Sequence, residues 1–84
     1  MRKLSEMPNI AKTLEQKLIE VGINSVEELI STGSKDAFLR LKIRDSGACF
    51  SMLCALEGAI QGIRWHYLDE KAKVDLKCFY DSIQ

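Results

Sequence analysis

The sequence predicts an all-α fold, a compact domain of five helices, on three observations. Apolar residues recur three and four positions apart, the helical period, and nowhere alternate with polar ones for long, as a half-buried strand would. Apolar residues make up 46% of the 84, enough for a core in a chain this short, and the 29% charged share suits a folded chain. Proline occurs once, and the five glycines fall between the periodic segments or in the most apolar one. The length leaves room for one domain, residues 1–84, with no linker or low-complexity tract.

The elements follow in order. A first helix is expected from about Ala11 to Val21, with Leu14, Leu18 and Val21 as its apolar stripe. Pro8 keeps Met7 extended, and Asn9 is the expected cap. Gly22 ends the helix as a left-handed residue with Ile23 packing back. Ser25 with Glu28 forms an S-x-x-E capping box, opening a second helix over about Val26 to Thr32 with Val26, Leu29 and Ile30 inward. Gly33 stops it. Ser34 then caps a third helix, about Lys35 to Arg44, with Ala37, Phe38 and Leu41 on its apolar face. Asp45-Ser46-Gly47 reads as a turn.

The longest helix is expected next, from about Ala48 to Ile63. It is apolar on nearly every side, the mark of a helix in the middle of a bundle. Gly58 and Gly62 weaken such a helix, so close approach by another backbone is the expected reason for them, with Trp65 filling the space. A last helix covers about Asp69 to Ile83, with Ala72, Leu76, Phe79, Tyr80 and Ile83 as its stripe.

Charge and cysteine content bound the function. Twelve basic and twelve acidic residues give a net charge of zero, which argues against tight nucleic-acid binding and leaves a local basic face open. Cys49, Cys54 and Cys78 are odd in number and show no C-x-x-C spacing, so a reducing compartment is expected, with no disulfide framework and no zinc site. No apolar run is long enough to span a membrane, and no apolar stretch follows Arg2 and Lys3 as in a secretory leader. A cytoplasmic location is expected.

The segment Met7 to Ile23 carries the main functional candidate. A turn entering a helix presents free N–H groups at the positive end of the helix dipole, a good site for a phosphate. Asn9, Ile10 and Ala11 would supply the turn, and Lys12 and Lys17 the charge. Ala11 sets a methyl group where glycine would let a phosphate come closest. Capping alone also explains the segment.

Lys35, Arg40, Lys42 and Arg44 cluster on the third helix, where late basic residues complement the helix dipole or form a patch for DNA or an acidic protein. Glu57 lies in the most apolar helix and needs a polar partner, with Gln61 and Arg64 on the same face and donors near Trp65 as candidates. His66, the one histidine, has no cysteine or carboxylate at a ligand spacing. No nucleophile–base pair, P-loop, dinucleotide fingerprint or H-E-x-x-H is present, so no catalytic residue, metal or cofactor is expected.

Taken together, "LSEMPNIAKTLEQKLIEVGINSVEEL", "GSKDAFLRL" and "ALEGAIQGIRWHYL" resemble the C-terminal domain of the TfoX/Sxy proteins, bacterial regulators of DNA-uptake competence. The resemblance runs from about Leu4 to Phe79. Its most specific part is Leu56-Glu57-Gly58-Ala59-Ile60 with Gly62, Trp65 and Leu68. It implies a compact all-α fold of the helix-hairpin-helix, SAM-like type and a role in competence gene regulation with other transcription proteins. The family usually carries glycine at the position of Ala11, and its regulators carry an N-terminal domain that these 84 residues do not include. The expected function is therefore a non-enzymatic binding domain with weak DNA contact through the hairpin. The alternative is a protein-interaction or dimerisation module.

Overall fold

The structure, a computed structural model, describes residues 2–83. Among them are five α-helices: α1 (Lys12–Glu20), α2 (Val26–Thr32), α3 (Ser34–Arg44), α4 (Phe50–Gln61) and α5 (Glu70–Ser82). Two single 3-10 turns, Leu4–Glu6 and Trp65–Tyr67, complete the secondary structure. The all-α expectation holds, with no strand among the described residues.

Two helices share the centre. α4 packs on α3, on α5 and on the Trp65–Tyr67 turn, while α3 also meets α1 and α2. Phe38 on α3, Leu18 on α1, Leu29 on α2, and Leu53 and Leu56 on α4 are fully buried; Leu76 of α5 is nearly so. Leu4 joins them from the first 3-10 turn. That turn is anchored by Val26 N donating to Arg2 O (3.1 Å) and Ser5 N donating to Glu15 Oε2 (3.2 Å).

The helix ends follow capping chemistry. Gly22 (φ 89°) closes α1: Ile23 N donates to Leu18 O at 2.9 Å, and Ile23 is buried behind it. Gly62 (φ 77°) closes α4 in the same way, with Ile63 N donating to Gly58 O at 2.9 Å. Ser25 Oγ accepts from Glu28 N (3.2 Å), and Glu28 reaches back to Asn24 N (2.9 Å), one residue earlier than a standard box. Asp69 caps α5 through Ala72 N (2.8 Å).

Several expectations need correction. Asn9 does not cap α1; Ala11 occupies that position. Ser34 is the first residue of α3, with Gly33 before it as cap, because the serine hydroxyl is turned toward α4. α4 begins at Phe50, two residues late, since Cys49 takes the extended cap conformation. It has 12 residues against 13 in α5, so it is not the longest helix. Ile30 points outward, 48% exposed, because α2 has only two turns and buries Val26 and Leu29.

Candidate functional site

The hairpin is built on a turn with Pro8 and Asn9 at its centre, closed by Ile10 N donating to Met7 O at 3.4 Å. Proline fixes φ at the first central position; asparagine tolerates the left-handed conformation at the second. Asn9 adopts it, with φ 70°. Its side chain then faces the protein. Asn9 Nδ2 donates to Ile63 O (2.9 Å) and Ala55 O (3.3 Å), and Oδ1 accepts from Trp65 N (3.2 Å). One amide thus ties the hairpin to the end of α4 and to the start of the following 3-10 turn.

Gly58 makes room for this clip. A Cβ there would lie 2.7 Å from Asn9 Nδ2, 2.9 Å from Ile63 O and 3.0 Å from Trp65 Cα. Backbone does approach Gly58, as expected, at Ile63 O and at Trp65 Cα rather than through the Trp65 ring. Gly62 has open space around it and serves its left-handed conformation instead. The Trp65 ring is half-buried against the core and stacks on His66 at 4.2 Å.

The five hairpin candidates therefore divide. Asn9 and the buried Ile10 face inward. Lys17 Nζ is bound to Asp45 Oδ2 at 2.9 Å, across to the end of α3. That hydrogen bond, with one from Gly47 N, holds the Asp45 carboxyl below the usual aspartate range. Ala11 and Lys12 are exposed, and so is Thr13. α1 opens with no side-chain hydrogen bond at its cap residue, Ala11, so no side chain caps the N–H groups of its first turn, and Lys12 is the exposed first residue of the helix. This arrangement suits an anion of phosphate size.

The basic residues of α3 are mostly engaged. Arg44 Nη1 donates to Glu20 O (3.3 Å), covering a free carbonyl at the end of α1. Lys42 Nζ reaches Ala48 O at 3.5 Å, and Lys35 pairs with Asp75 at 2.7 Å. Glu57 does have polar partners, one of them as expected. Gln61 Nε2 donates to Oε2 at 2.7 Å, but the second donor is Ser34 Oγ, at 2.6 Å to Oε1, in place of Arg64 or a group near Trp65. The signal for it was present: Ser34 follows a glycine stop, where its hydroxyl can point away from its own helix. Glu57, Ser34 and Asp75 line an open groove of about 360 Å³ between α3 and α5.

All three cysteines are free. Cys54 is buried, where desolvation pushes its thiol up. Cys49 and Cys78 are exposed. No cluster of three or more metal-ligating side chains occurs among the described residues. No described helix is long and apolar enough to cross a membrane.

The model of the TfoX C-terminal domain matches residues 1–80. The chain belongs to the TfoX C-terminal domain family. Two relatives agree with that assignment. Protein Sxy of Escherichia coli K12 is 37% identical over 81 residues, covering 96% of this chain and 39% of Sxy. The DNA transformation protein TfoX1 of Aliivibrio fischeri is 30% identical over 73 residues, 86% of this chain and 35% of TfoX1. This TfoX C-terminal domain chain thus spans well under half the length of those relatives.

Two solved structures from Listeria monocytogenes share its fold. An uncharacterized protein in a triclinic crystal form is 59% identical, with a TM-score of 0.94 over 95% of this chain and 91% of that one. A protein of unknown function in a tetragonal form is 57% identical, with a TM-score of 0.95 over 98% and 100%.

Proposed function

We propose that this TfoX C-terminal domain chain is a non-enzymatic, cytoplasmic binding domain, an accessory regulator of competence or transcription. It acts as one domain over residues 1–84. Its helix-hairpin-helix segment makes a weak contact with DNA phosphate. Kinship with a DNA transformation protein supports the regulatory part. The observation that carries the DNA part is the uncapped, exposed start of α1 with Lys12 beside it. The contact is small, because Asn9, Ile10 and Lys17 are committed to the fold.

The test is fluorescence anisotropy with a short labelled DNA duplex at falling salt. Binding should emerge only at low salt, be insensitive to base sequence, and be lost in Lys12→Glu. Binding by that variant equal to the parent's would exclude the hairpin as the contact.

A second reading, a protein-interaction or dimerisation module without DNA contact, has its own support. Ile43 is 85% exposed, Val74 57% and Ile30 48%, large apolar side chains that a partner surface would cover. Sedimentation of the pure chain tests the dimer form of this reading directly.

A further inference from the structure

The turn that feeds α1 is held mainly from outside itself. Its own hydrogen bond, Ile10 N to Met7 O, is long at 3.4 Å and so weak. The Asn9 amide adds three more, donating to Ile63 O (2.9 Å) and Ala55 O (3.3 Å) and accepting from Trp65 N (3.2 Å). Buried Ile10 is the one residue between Asn9 and Ala11, the cap of α1. Gly58 admits the amide, since a Cβ there would lie 2.7 Å from Asn9 Nδ2. Glycine is unfavourable inside a helix, so α4 gives up helix propensity at this position to let the amide in.

We infer that Asn9, with Gly58 making room for it, is the positioning residue of the hairpin: its side chain touches no DNA but sets where the N–H groups at the start of α1 stand. This role presupposes the hairpin as the DNA contact. A phosphate held by backbone N–H groups needs several of them aimed at one point. A loose turn would have to be ordered at the moment of binding, and the entropy of that ordering would weaken the affinity. The clip orders the turn beforehand. With a net charge of zero, long-range attraction does not make up for a loose site.

Two anchors hold α1 beyond the clip. Leu18 is fully buried, and Lys17 Nζ is bound to Asp45 at 2.9 Å. The far part of the helix is therefore fixed on α3, and the clip fixes the turn that enters it. A staple that served stability alone would leave DNA affinity untouched once the chain is folded. A positioning residue changes affinity in the folded chain without removing a phosphate contact.

The test measures affinity for a short labelled DNA duplex across a range of low salt concentrations. It is run at a temperature where circular dichroism shows parent and variants fully folded. Asn9→Gly keeps the left-handed turn and removes the amide. It should bind about tenfold more weakly, from the ordering of roughly one residue. Its slope of log affinity against log salt should equal the parent's, because no phosphate contact is lost. Ser34→Ala, which loosens the tie between α3 and α4 instead, should bind as the parent does. Should Asn9→Gly fail to fold, Gly58→Ala takes its place with the same expectation, since its new methyl displaces the amide. Parent-like affinity in the clip variant would overturn the role of Asn9 and leave the hairpin contact standing. So would a flatter salt slope, which would make Asn9 a phosphate contact, or equal weakening in Ser34→Ala, which would reduce the effect to stability. No binding by the parent would overturn the hairpin contact itself, and the role of Asn9 with it.

Discussion

Asn9 shows how far one side chain can be read from sequence. Asparagine before a helix suggests a cap, because its oxygen commonly accepts from the first turn. Here a left-handed φ of 70° turns the amide away from α1 and onto Ala55, Ile63 and Trp65. Those partners lie 46 to 56 residues along the chain, beyond the reach of any local pattern. Gly58 was more legible, since a glycine inside an apolar helix asks for a close neighbour. Both residues give predictions. Asn9→Ala should lose about 2–4 kcal/mol, from three part-buried hydrogen bonds at roughly 0.5–1.5 kcal/mol each. Asn9→Gly keeps the turn conformation yet should still lose most of this. Gly58→Ala should destabilise by about 1–3 kcal/mol, although alanine is the better helix former, because the new methyl meets backbone. Urea titration measures all three; unchanged midpoints would mean that the clip contributes nothing.

Among the elements, the sequence was most legible where caps mark the ends. Gly22, Ser25 and Gly33 place the bounds of α1, α2 and α3 to within a residue or so. The 3-10 turns were not legible, since three residues carry no period. Ties between helices were half legible. Glu57 demanded a partner, but only the fold brings Ser34 of α3 to it. Ser34→Ala should therefore cost about 1–3 kcal/mol, because it strips a donor from a part-buried carboxylate. A melting curve that overlays the parent's would contradict this tie between α3 and α4.

The tie between α1 and α3 gives a pH prediction. The Lys17 hydrogen bond depresses the Asp45 carboxyl in the folded chain. Its stabilisation is then fully present above the unfolded aspartate pKa and is lost as pH falls through the lower folded value. The advantage of the parent over Asp45→Asn in melting temperature should be constant near neutral pH and vanish in acid. An advantage that instead grows on acidification would refute the pairing.

At the scale of the whole molecule, the radius of gyration is 11.7 Å. That matches the roughly 12 Å expected of a compact chain of this length. Net charge is zero, so long-range attraction to DNA is absent and any contact rests on local geometry. Within the proposed hairpin contact, that leaves the exposed, uncapped start of α1, where Ala11 is the cap residue. The most direct measurement is the salt dependence of duplex DNA binding by the parent and by Ala11→Gly. One or two phosphate contacts should give the parent a slope of log affinity against log salt of about −1 to −2. Ala11→Gly should bind at least as tightly, with the same slope or a steeper one. No binding by either protein at low salt would contradict the hairpin as a DNA contact and leave it a clip that closes the fold.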